Sequence, residues 1–101
     1  MAKASPGRSL APGTIGAIVE PAEGGVRVKA LDPEGPAGQA GLRTGDLIVR
    51  YNGTALQDVR DFNHRVMRSR PGSVARLSLQ RGAQAFSAEV EVKQLRTAVR
   101  L

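Results

Sequence analysis

Glycine, proline and Asn-Gly breaks cut this chain into short apolar runs, and that punctuation excludes long helices and points to a small sheet-based fold. The clearest run is the last. Phe86, Ala88, Val90 and Val92 alternate with Ser87, Glu89, Glu91 and Lys93, the period of a half-buried strand. Val74, Leu77 and Leu79 carry another strand to Arg81, and Gly82-Ala83-Gln84 turns the one into the other. Near the start, Thr14 to Glu20 is rich in β-branched residues and bounded by Pro12-Gly13 and Pro21, which predicts one strand. Ala22 to Gly25 turns it back into Val26–Leu31, where Val26, Val28 and Ala30 share a face, as an antiparallel hairpin. Leu47–Tyr51 is a further strand, followed by Asn52-Gly53, a hairpin-turn signal because both residues tolerate positive φ.

Two segments depart from that period. Pro36 to Gly41 suits one or two helical turns, with proline in the first turn and Gly41 after the last; Leu42 follows as an apolar plug. Val59, Phe62, Val66 and Met67 recur at helical spacing, so residues 59–69 are predicted to form an amphipathic helix. Gln57 or Asp58 caps it and Pro71-Gly72 ends it. The order is β-β-short α-β-(short β)-α-β-β, an α+β chain without internal repeat.

A chain of 101 residues, 41% apolar and 24% charged, is one globular domain. Cysteine and tryptophan are absent, and the aromatics are Tyr51, Phe62 and Phe86, so the core must be aliphatic and neither disulfides nor thiolate metal sites are available. Residues 1–12 read as a disordered leader, with order beginning near Gly13, and 94–101 as a basic tail. No run of 18 apolar residues exists and the first residues lack an apolar signal core, so an exported parent implies that this chain is a piece of it.

The net charge is +6, mostly arginine spread from Arg8 to Arg100. The nearest cluster, Arg60, Arg65, Arg68 and Arg70, is diluted by Asp58 and Asp61, and no aromatics interleave it, so nucleic-acid binding is not expected. His64 is the single histidine and stands without the nucleophile and acid that a hydrolytic site needs. One histidine and spaced carboxylates do not make a metal site, and Gly13-Thr14-Ile15-Gly16 lacks the following helix of a phosphate loop. The expectation is a binding module with no catalytic residue, metal or cofactor. Gly16, inside a strand, marks a bulge or a curled entry; in a curl, successive N–H groups form a nest for an anion such as a peptide carboxylate. The plainer reading is a strand start with an incidental glycine.

Pro36-Ala37-x-x-Ala40-Gly41-Leu42-Arg43-x-Gly45-Asp46-Leu47-Ile48, followed by Asn52-Gly53, closely resembles the PDZ domains of bacterial proteases, most of all those of HtrA-type serine proteases. The likeness runs from about Gly13 to Lys93. It implies a PDZ-like small β-barrel or sandwich of five to six strands, capped by one short and one long helix. The permuted bacterial strand order is implied too, with the final strand in the place of the first in animal PDZ domains. It also implies a peptide-binding module that takes up C-terminal or extended apolar peptides by strand addition. Thr14, Ile15, Gly16 and Ala17 would form the carboxylate-binding loop through the amides of Ile15, Gly16 and Ala17. Ile18 and Val19 would pair with the peptide, and Ile15, Ala17 and Val19 would line the pocket for its last side chain.

On the long helix the resemblance places Val59, Asn63 and Val66 toward the groove, with Met67 at the pocket edge. Phe62 reads as core, and Val66 as both core and groove. A helix register shifted by one residue would present Arg60, His64 and Met67 instead. Ala17 is smaller than the residue often found there, which implies a roomier or weaker pocket. The implied partners are peptide or protein C-termini, with no nucleic acid and no membrane contact by this domain. The implied parent is a periplasmic or membrane-tethered protease that can be oligomeric. Rival parents are a carboxy-terminal processing protease, a site-2 metalloprotease or a secretion component; a non-binding spacer is the rival role.

Overall fold

The structure, a computed structural model, describes residues 13–94. The expected leader over 1–12 lies outside the described residues, as do residues 95–101 of the expected tail. The elements in chain order are β1 (Gly13–Thr14), β2 (Ala17–Ala22), β3 (Gly25–Leu31), α1 (Pro36–Gln39), β4 (Leu47–Tyr51), β5 (Thr54–Ala55), α2 (Val59–Arg68), β6 (Val74–Arg81), β7 (Gln84–Glu91) and β8 (Lys93–Gln94). Five strands make one antiparallel sheet in the order β2-β3-β4-β6-β7, with β5 hairpinned onto β4; β1 pairs with β8. The sheet is open rather than a closed barrel, so β2 and β7 are its edges. The α+β plan of an antiparallel sheet with one short and one long helix is the expected one. The last long strand, β7, lies beside β6.

The alternating runs became strands because one face of each seals the core. Val26, Val28, Ile48, Leu77, Leu79 and Val90 are fully buried. From the other side α2 inserts Phe62 and Val66, and Phe62 meets Tyr51 edge to face at 6.3 Å. Burying such side chains contributes about 1.5–3 kcal/mol each, which lets a core with so few aromatics hold together. Asp58, not Gln57, caps α2: its carboxylate accepts the Asp61 N–H at 2.8 Å. Asp61 in turn accepts the Gln57 N–H at 3.0 Å, which holds its carboxyl below the ordinary range, with Arg65 assisting at 2.9 Å.

Three boundaries differ from the sequence reading. The single strand predicted over Thr14–Glu20 is two, because Gly16 takes a left-handed backbone at φ 74° and breaks the ladder. β2 continues through Pro21 to Ala22, since an edge strand has no outer partner to miss the proline N–H. Gln84 belongs to β7, so the turn after β6 is shorter, and Gln94, expected in the tail, lies in β8.

The segment that carried the resemblance is a structural lock. Asp46, 1% exposed, accepts the Arg43 N–H at 2.9 Å and two bonds from Arg81, Nε and an Nη, both at 2.8 Å. Arg81 also donates to the Gly41 carbonyl at 2.9 Å and lies over the Phe86 ring at 4.7 Å. One ion pair thereby ties the loop after α1 to the end of β6 and start of β7.

Candidate functional site

The break between β1 and β2 is held open by its neighbours. The Ile15 carbonyl accepts the Ala37 N–H at 2.8 Å, and the Gly16 carbonyl accepts the Asp32 N–H at 3.0 Å. In a trans peptide the carbonyl and the following N–H point in opposite directions. The Gly16 N–H is therefore turned away from α1, and the Ala17 N–H away from β3 toward the free sheet edge. Pro36 packs against the same turn; a Cβ on Gly16 would meet its Cδ at 3.4 Å. Thus α1 buttresses the loop, a role the sequence reading did not give it. The Gly16 N–H is not vacant: it donates to the Thr14 hydroxyl at 3.1 Å. A threonine two residues before a turn glycine is the signal that could have foretold this.

Side chains leave the loop in alternation. Ile15 and Val19 are buried and Ala17 is half-buried, whereas Ile18 stands 63% exposed on the opposite face. Ile18 sits across from Ala30, also exposed. A bulge follows, with Ile18 opposite Ala30 but Val19 opposite Val28, so Lys29 is the extra residue.

Alongside lies α2, packed on β1, β2 and β3. One flank of the helix faces β4 and β5, where Arg65, Arg68 and Ser69 border a cleft with Tyr51, Asn52 and Thr54. Ser69 Oγ lies 2.6 Å from Tyr51 Oη, and burial pushes the Tyr51 phenol up from its ordinary range. The other flank is turned away from that cleft. It borders an open cavity of about 590 Å³, lined by Val59, Arg60, Asn63, His64 and Met67. Met67 is 53% exposed there. Of the helix residues singled out from sequence, Val59, Asn63 and Met67 line this cavity and Val66 does not: at 6% exposure it is sealed in the core. Arg60 and His64, from the alternative register, line it as well. The two stripes share one cavity because residues at i, i+1, i+4 and i+5 occupy one broad helix face.

The arrangement combines an unpaired strand edge, a turn whose Ala17 amide points to that edge, and an apolar trough with a basic rim. Such a surface suits an extended chain bearing an anionic end. No group of three or more metal-ligating side chains occurs among the described residues, and no described helix is long and apolar enough to cross a membrane.

Comparison with known proteins gives a consistent result. The family model described as PDZ domain matches residues 13–92. A chain named as a probable DegP-like periplasmic serine endoprotease in Brucella suis biovar 1 is 36% identical over 70 residues, 69% of this chain and 14% of that one. The serine endoprotease of Yersinia pestis superposes with a TM-score of 0.78 at 31% identity, covering 86% of this chain and 30% of that one. The HtrA3 PDZ domain, bound to a phage-derived ligand of sequence FGRWV, has the same fold at a TM-score of 0.74 and 22% identity. That match covers 82% of this chain and 86% of that one. The chain thus spans a small part of the length of the proteases it matches.

Proposed function

The chain belongs to the PDZ domain family, and from that premise we propose that it captures the C-terminal ends of polypeptides by adding them as a strand to the free edge of β2. The observation that carries this reading is the Gly16 turn. It directs the Ala17 amide out of the sheet, beside an edge strand and an open trough. In this reading the amides of Ile15, Gly16 and Ala17 receive the terminal carboxylate. The peptide pairs along Ile18 and Val19 through the outward donors of Ala17 and Val19, Ala17 and Val19 border the last side chain, and Val59, Asn63 and Met67 form the far wall. The parent is a periplasmic HtrA-type serine protease, in which this domain selects or senses substrate ends; likeness to the Brucella and Yersinia endoproteases supports it.

The test is titration with one apolar peptide in free-acid and C-terminally amidated forms. The free acid binds more tightly, because each charge-assisted bond from an amide is about twice as strong as a neutral one. Equal affinity refutes the carboxylate role. One observation favours the rival reading of a non-binding spacer, namely the Thr14 hydroxyl already satisfying Gly16. Absence of binding by either peptide decides for it.

A further inference from the structure

The peptide groove has a charged wall of one sign. Of the five side chains lining the cavity, Arg60 is cationic and none is acidic. The acids of α2 and its cap are engaged elsewhere. Asp58 holds the Asp61 N–H, while Asp61 holds the Gln57 N–H and pairs with Arg65 on the flank away from the groove. On β2, Glu20 sits opposite Arg27 on the face that Ile18 shares, not the face of Val19. Arg60 shares the lack of a carboxylate partner with Arg27, Arg43, Arg50, Arg68 and Arg70 among the described residues, but it alone of these lines the cavity. A guanidinium left without a carboxylate at the rim of an apolar trough attracts a negative side chain held across from it.

Resting on the peptide-binding reading above, we propose that this groove selects C-terminal peptides with an acidic side chain upstream of the end, on the side facing α2, and that Arg60 is the selecting residue with His64 beside it. An added strand presents alternate side chains to the two faces. With the terminal side chain in the pocket, the third and fifth residues from the end face the helix. The second and fourth face outward, over Ile18. The acid is therefore read at every other position, which distinguishes recognition by Arg60 from general attraction to a basic domain.

The experiment is calorimetric titration of free-acid hexapeptides with Glu, Gln or Lys placed in turn at the second to fifth positions from the end. Wild type, Arg60→Glu and, as a charge control on β4, Arg50→Glu are compared. At the third or fifth position Glu binds about two- to fivefold more tightly than Gln, as exposed ion pairs do, and the gain fades in 1 M salt. Arg60→Glu inverts the order to favour Lys; Arg50→Glu does not. Equal affinities for Glu, Gln and Lys, with free acid still preferred over amide, overturn this proposal and leave the carboxylate reading standing. A preference independent of position, or one inverted equally by Arg50→Glu, overturns it too. Loss of the free-acid preference, or no binding at all, removes both.

Discussion

Replacing Thr14 by valine removes one hydroxyl at nearly constant shape, and the structure gives the direction of the effect. In the free domain the Gly16 N–H donates to Thr14 Oγ1 at 3.1 Å. A carboxylate reaching that amide must displace the hydroxyl. A neutral hydrogen bond of this kind has a net worth of about 0.5–1.5 kcal/mol. Thr14→Val lifts that competition from the free state alone, which corresponds to about two- to tenfold tighter binding of a free-acid peptide. The amidated peptide, which places no anion on the loop, binds as before. Thr14→Ser keeps the oxygen and tracks the wild type. Isothermal titration of the three proteins against both peptides at one salt concentration reads the difference. Unchanged or weaker free-acid binding by Thr14→Val refutes the reasoning, because the hydroxyl would then be no competitor or would itself hold the ligand.

Other substitutions separate wall from core. Met67→Ala weakens peptide binding with little change in urea midpoint, its side chain being half exposed, whereas Phe62→Ala costs about 3–5 kcal/mol of stability. Gly25→Ala disrupts the fold, because a Cβ there collides with the Ile48 carbonyl where β3 meets β4; a native thermal transition in that variant contradicts the packing. The Asp46 carboxyl lies below its ordinary value, chiefly through its bonds from Arg81 and then from the Arg43 amide, which outweigh burial. The folded protein thus holds that proton less tightly than the unfolded chain. The stability it contributes is full above a pH of about 4 and is lost as pH falls through the lowered value. Asp46→Asn costs about 1–3 kcal/mol at pH 7 and flattens the acid limb of the stability curve; an undiminished limb points to other carboxylates.

The strands β6 and β7 and the helix α2 were legible because one face of each is buried, and burial writes its period into the residue order. Asn52-Gly53 was legible because the turn needs positive φ: Asn52 takes φ 51°, and its amide and side chain bond back to Arg76. The division of the first strand was not, because Thr14 to Glu20 is uniformly apolar enough for one strand. What breaks it are bonds from Asp32 and Ala37, residues far along the chain. Gly16 hinted at a curl but not at who would hold it. Val66 was legible in part: it read as both core and groove, and the core took it, while Val59 on the same stripe is only partly buried. The loop from Gly41 to Asp46 was the most recognisable sequence and proved to be scaffold, its carboxylate spent on Arg81.

Pro21 sets a limit on what can be stitched to the domain. Along β2 the outward-facing donors fall at alternate residues, Ala17 and Val19, and the next in turn is a proline without hydrogen to give. In the proposed mode of capture, an added chain would be gripped by its final few residues only, and beyond them it would leave the surface free to reach elsewhere. The same missing donor denies a second copy the long uninterrupted seam from which fibrils grow, so an edge left bare for guests is kept from recruiting its own kind.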